Sequence, residues 1–162
     1  MKKITFRTDI LPLKDKFYRL ALRITTNTAD AEDIVQEALI RIWKKREQWD
    51  EIESLETYGL AITRNIALDY IKKSKTALHV PLDNEIPAKE YDKLQAQERI
   101  KLIKNMMDSL PEKQRTAMQL RDFEEKTYKE VAEIMDISEQ QVKVNIFRAR
   151  QFIKQKIQEN GL

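Results

Sequence analysis

Residues 127–141 read Thr-Tyr-Lys-Glu-Val-Ala-Glu-Ile-Met-Asp-Ile-Ser-Glu-Gln-Gln, and the fold of the chain turns on them. Thr127 is followed three residues later by Glu130, and Ser138 by Gln141. Each pair fits a capping box, in which the hydroxyl accepts a backbone N–H and the residue three further on reaches back. The two starts leave room for two turns of helix and a tight bend. Ala132 supplies the small side chain that closely crossing helices need, and Ile137 and Val142 fill the wedge between them. Asp136 falls at the bend, where a left-handed backbone is tolerated by aspartate in place of glycine. The stretch therefore predicts a helix-turn-helix.

Working towards the C-terminus, Val142, Ile146, Ala149, Ile153 and Ile157 keep helical spacing and draw one apolar seam along a long second helix. The other faces of this helix are basic. Between Gln141 and Lys156 lie Lys143, Arg148, Arg150, Lys154 and Lys156 with no acid, whereas the whole chain carries a net charge of only +3. A helix that enters a DNA major groove needs this distribution: polar side chains near its start meet base edges, and cations further along meet phosphates.

Towards the N-terminus, Leu94, Leu102, Ile103, Met106, Met107 and Leu110 predict one more helix, and Pro111-Glu112 begins another. Residues 73–93 lose all periodicity and contain Pro81 and Pro87, which marks a linker. The alternative is a long ordered loop packed across a single domain. Before it, Leu13, Phe17, Leu20 and Ile24 form one stripe. Ala31, Ile34, Val35, Ala38, Leu39, Ile42 and Trp43 form a second, and Leu55, Tyr58, Ile62, Ile66 and Tyr70 a third, with Ser54 as its N-cap. The expected fold class is all-α: two small helical domains joined by a flexible linker, the second containing the helix-turn-helix. The boundaries are 1–75, 76–95 and 96–162. Each half is short of core and marginal alone.

Composition supports this and excludes much else. Two glycines and four prolines in 162 residues leave few tight turns for a sheet. With no cysteine there is no disulfide, thiolate metal site or redox sensor. His79 is the single histidine and lies in the linker, so neither a histidine triad nor a histidine metal cluster can form. Gly59 and Gly161 cannot build a phosphate-cradling loop. The expectation is no enzyme, no cofactor or metal, and no small-molecule substrate. No secretory stretch or bilayer-spanning apolar run occurs, so the protein is expected to be soluble and cytoplasmic.

Two further surfaces stand out in the first domain. Asp30, Glu32, Asp33 and Glu37 with Gln36 give helix two an acidic start, which suits either solvent or protein docking. Arg64, Lys72, Lys73 and Lys75 oppose Asp69 alone, near Trp49, Tyr58 and Tyr70, a mixture that suits unpaired bases on a neutralised backbone or merely core aromatics beside surface lysines.

The run from Asp30 to Trp43 resembles the core-binding helix of region two of bacterial RNA polymerase sigma factors. Leu110 to Arg115, Tyr128 to Ile134 and Val142 to Arg150 resemble region four of the same family. A chain this short, passing from region two straight to region four, is similar to the extracytoplasmic-function (ECF) group. The resemblance implies that Asp33, Gln36, Glu37, Arg41 and Trp43 serve the contact with core RNA polymerase. It implies that the loop from Trp49 to Ser54, with Arg64, Asn65, Lys72 and Lys73, captures the melted minus-ten strand of promoter DNA. It also implies that Gln140, Gln141, Lys143, Asn145, Arg148 and Arg150 meet the minus-thirty-five element, with Phe147 as a packing partner. Val144 and Asn145 stand where relatives often have small polar or basic residues, so base preference does not carry over. An anti-sigma factor, often membrane-bound in this group, is the further implied partner. Two rival readings remain at this level: a stand-alone helix-turn-helix regulator, and a protein-binding adaptor or anti-sigma antagonist with an incidental basic helix.

Overall fold

The computed structural model describes residues 3–74 and 95–159, and every regular element among them is helical. The linker expected over 76–95 lies outside the described residues except for Gln95, and so do Lys75 and His79. The first unit holds α1 (Lys14–Thr25), α2 (Thr28–Lys44) and α3 (Leu55–Lys73). Short helical turns, Phe6–Ile10 and Leu11–Leu13, lead into α1, and a third, Arg46–Glu51, joins α2 to α3. The periodic stripes did not forecast the turn over Phe6–Ile10, because it presents a single buried residue, Ile10.

Local chemistry sets the helix ends. Thr26 takes a left-handed backbone (φ 56°) that stops α1, and the Asn27 side chain accepts the Asp30 N–H at 3.0 Å to start α2. Ser54 accepts the Thr57 N–H at 3.2 Å to start α3, as its sequence position suggests. α1 and α3 cross closely at Gly59, where a methyl group would collide with the buried ring of Phe17. Glycine is required there for the approach rather than for backbone freedom.

The second unit holds α4 (Ala96–Met107), α5 (Glu112–Met118), α6 (Tyr128–Met135) and α7 (Glu139–Glu159), with a wide helical turn over Gln119–Phe123. Both capping boxes form. Thr127 Oγ1 accepts the Glu130 N–H at 3.1 Å while Glu130 accepts the Thr127 N–H at 3.0 Å, and Ser138 and Gln141 exchange the equivalent pair at 3.1 and 3.0 Å. Asp136 is left-handed (φ 53°) and the Ile137 N–H donates to the Ala132 carbonyl, which closes the bend. α6 and α7 are the two limbs of the helix-turn-helix.

The halves do not stand apart. α3 packs on α6 and α1 on α5. One continuous core runs from Phe17, Leu20, Ile34 and Leu60 into Ala117, Leu120, Val131, Met135 and Ile146. A smaller cluster of Met107, Leu110, Met118, Ala149 and Ile153 closes the far end of the second unit. The sequence suggests halves positioned separately, but two helical units too small to bury enough apolar surface alone gain it by sharing a core.

Candidate functional site

Polar groups decide how the two units meet. Arg23, buried on α1, donates through Nη1 to the Lys104 carbonyl (2.6 Å) and to Asp108 (2.8 Å), and through Nε to Gln119 (3.0 Å). Arg115 returns the contact: it donates to the carbonyls of Arg23 (3.0 Å) and Ile24 (2.7 Å), capping the last turn of α1 with a cation where the helix dipole favours one. Burial lowers the pKa of both guanidiniums, Asp108 opposing the shift at Arg23 and Glu112 at Arg115. Arg19 grips Glu124 through two hydrogen bonds, which raise its pKa. Glu56 on α3 bridges Lys16 of α1 and Lys126 of the second unit. Burial alone would raise the Glu56 carboxyl, but the two lysines outweigh it and hold the pKa below the ordinary value.

Arg64 belongs to this seam. It is 6% exposed, and its guanidinium donates to the Met135 carbonyl (3.1 Å) and to Glu112 (2.9 Å), while its buried Nε has no partner. Of the residues implied for strand capture, Asn65, Lys72 and Lys73 are exposed on α3, whereas Arg64 and Trp49 are inside the fold. Trp49 Nε1 donates to the Ile42 carbonyl at 2.9 Å, so the indole fixes the turn after α2 and presents no stacking face to solvent. Ser54 is occupied as the N-cap of α3. Beside it, Thr57, Tyr58 and Ala61 line a groove whose opposite wall is Lys129, Glu130 and Glu133 of α6. This side of α3 is thus faced by an edge of the second unit that carries Glu130 and Glu133.

The outer face of α2 is open. Asp33, Gln36 and Arg41 are exposed and Glu37 is half-buried, with Glu37 and Arg41 paired at 2.6 Å one turn apart. Such an exposed pair contributes little to stability and leaves both charges available to a partner. Trp43 falls on an apolar stripe in the sequence, yet it is 46% exposed, edge-on to Phe6 and Trp49 with the Arg46 guanidinium over its ring. Ile40, one turn from Gln36 and 54% exposed, completes an apolar centre on this acidic face. The stripe pattern conceals it, because an exposed isoleucine looks like a core residue out of phase. Tyr70 packs near the same helix; burial raises its pKa, and Asp33, Glu37 and Asp30 add to the shift.

On α7, Gln140, Gln141, Lys143 and Arg148 are exposed. Lys143 lies over the Tyr128 ring (5.4 Å), and the Gln141 side chain is engaged in the capping box. Asn145 is half-buried and turns its amide back to the Gln141 carbonyl at 2.8 Å. Arg150 is held by Asp122, whose hydrogen bond raises the arginine pKa against partial burial. Phe147 is not a packing partner: at 62% exposure it points away from the core, because Ile146 and Ala149 occupy the buried side of that turn.

Family models match in two places, Sigma-70 region 2 over residues 10–76 and Sigma-70 region 4 over residues 100–153. Among curated proteins, the ECF RNA polymerase sigma factor SigW of Bacillus subtilis is 30% identical over 93% of this chain and 88% of its own length. SigM of the same organism is 32% identical over 85% of each chain. The chain is an ECF sigma factor. The sigma factor RpoE of Bartonella quintana, solved in complex with the anti-sigma factor NepR, shares its fold with a TM-score of 0.75 over 94% of this chain and 96% of that one, at 21% identity. As a sigma factor, the protein binds RNA polymerase and recognises promoter DNA to initiate transcription. No helix among the described residues is long and apolar enough to cross a membrane.

Proposed function

We propose that this sigma factor divides its work between residues 1–75, which hold core polymerase and capture the melted strand, and residues 96–162, which read the upstream element, with 76–95 as the tether. The α2 face of Asp33, Gln36, Glu37, Arg41 and Trp43, with Ile40 at its centre, meets the polymerase. Asn65, Lys72 and Lys73, with the loop from Trp49 to Ser54, meet the minus-ten strand, and Arg64 joins them once the units separate. Gln140, Gln141, Lys143, Asn145, Arg148 and Arg150 serve the minus-thirty-five element, those already bonded within the fold acting mainly by supporting the helix. The protein performs no catalysis and works in the cytoplasm. The closed arrangement is the resting state, which core polymerase opens, and an anti-sigma partner of this group's kind would hold it inactive.

The observation that carries this reading is Arg64. A cation of the strand side that is buried against Glu112 is unavailable to a phosphate, so capture of the strand requires the seam to part. Free protein should therefore bind promoter DNA weakly, and tethering both units on polymerase should raise their effective concentrations at the two elements. The test is holoenzyme assembly followed by run-off transcription on a genomic promoter library. Transcripts sharing a two-part upstream motif support the reading. In the same assay, Lys143→Ala with Arg148→Ala should weaken promoter binding severalfold and reduce the salt slope by about one per lost phosphate contact, leaving core assembly intact. Equal loss of core binding would contradict the division of labour.

A further inference from the structure

Along α7, the core takes Val142, Ile146, Ala149 and Ile153, and the residues directly opposite on a 3.6-residue helix are Gln140, Val144, Phe147 and Gln151, all exposed. Two of these four are apolar: Val144 is 41% exposed and Phe147 62%. No described residue of the other unit covers them, although the two units are packed against each other. Around them the exposed surface is cationic, with Lys143, Arg148 and Lys154, and it carries no acid from Gln140 to Gln158. A β-branched valine is a poor helix former, and an exposed phenylalanine favours association, so neither residue serves the free helix.

The charge surrounding the pair selects its occupant. A cationic rim complements a polyanion, and the major groove of duplex DNA offers one apolar feature among its donors and acceptors, the C5-methyl group of thymine. Val144 and Phe147 are three residues apart, about 4.5 Å along the helix axis, which lies between one base step of about 3.4 Å and two, so the pair can reach adjacent base pairs. We propose that Val144 and Phe147 read thymine methyl groups in the upstream promoter element, so that part of the specificity of this sigma factor is apolar. Gln140 and Gln151 flank the pair and supply the hydrogen bonds to adjoining base edges. Lys143 and Arg148 hold the helix on the phosphates.

This inference rests on the reading of α7 as the minus-thirty-five helix, and its test separates the two. Holoenzyme first defines the promoter from its own transcripts. Binding is then compared on two templates, one with thymine and one with deoxyuridine in the upstream element only, which removes the methyl groups and nothing else. Wild-type holoenzyme should bind the uracil template about fourfold more weakly for each contacted methyl. Val144→Ala combined with Phe147→Ala, a change to better helix formers at exposed positions, should bind both templates equally while retaining the wild-type salt slope. Equal binding of both templates by wild type, undiminished discrimination by the double variant, or an upstream element with no thymine on either strand would each overturn the inference. Transcription without methyl dependence defeats this inference alone, whereas no specific transcription from any template defeats the reading beneath it as well.

Discussion

The two sides of this sigma factor proposed to meet DNA are presented differently. On α7, Lys143, Val144, Phe147 and Arg148 stand in solvent on a helix fixed from behind by Ile146 and Ala149. On α3, the cation nearest the middle of the helix, Arg64, is turned inward to Glu112 and Met135, and the groove beside Tyr58 is walled by Glu130 and Glu133. The outer face of α7 is open in the free protein, and the α3 side is closed by the same unit that carries α7. If the proposed roles hold, one contact between units couples release of the α3 side to movement of α7. Under the proposed division of work, such a protein captures the melted strand only when polymerase separates its halves.

The largest way to break this contrast is to remove the residue that ties α1 to α5. Arg115→Ala strips two α1 carbonyls and the Leu110 carbonyl of their donor. It should destabilise the free protein by about 3 kcal/mol, the scale of a broken buried charged network, as measured by urea unfolding. A loss below roughly 0.5 kcal/mol, the level of an ordinary surface substitution, would show that the seam does not bear on stability.

Next comes Glu112→Gln, which removes the carboxylate facing Arg64 but keeps its shape. The closed form should weaken by about 1–2 kcal/mol, and binding of a single-stranded minus-ten oligonucleotide by the free protein should rise about tenfold in fluorescence anisotropy. Duplex binding through α7 should be unchanged, and an equal rise on both ligands would erase the contrast between the sides.

Acid should act on the same seam. The Glu56 carboxyl lies below its ordinary pKa in the closed protein, so its stabilisation is complete above the unfolded value and is lost as pH falls through the folded value. The seam should loosen from about pH 4 downward, and Glu56→Gln should remove that part of the pH dependence in a titration followed by unfolding midpoints. The smallest effect is expected at Arg41→Ala. Its exposed pair with Glu37 supports α2 by about 0.3–0.5 kcal/mol at most, so the free protein should melt almost unchanged while affinity for core polymerase drops in a competition assay.

How much of this could be read from the sequence follows the distance over which each feature is determined. The capping boxes at Thr127 and Ser138, the left-handed Asp136 and the N-cap at Ser54 are legible because the groups involved lie within four residues of one another. The stripes of α1, α2 and α7 are legible because periodicity reports burial, whereas on α3 only Ile66 of the expected stripe is buried and the core takes Leu60, Thr63, Arg64 and Ala67 instead. The seam is not, because Arg23, Arg64 and Arg115 find their partners in the opposite unit 48 to 96 residues away. In sequence each looks like any other surface cation. Trp49 shows the same limit: beside cations it suggests a stacking platform, but its indole N–H is spent on the Ile42 carbonyl. Asn145 and Phe147 show how finely the candidate site depends on helix phase. One turns its amide onto its own backbone and the other points away from the core, although they are two residues apart.

Whether the free form is closed and opens on polymerase can be read from the distance between the two units. The chain contains no cysteine, so Asp69→Cys on α3 and Lys113→Cys on α5, both exposed, give a doubly labelled protein with no background attachment. The expected result is one short label-to-label distance in the free protein and a much longer one when core polymerase is added. The same short distance in both states, with the holoenzyme active on its promoter, would contradict it.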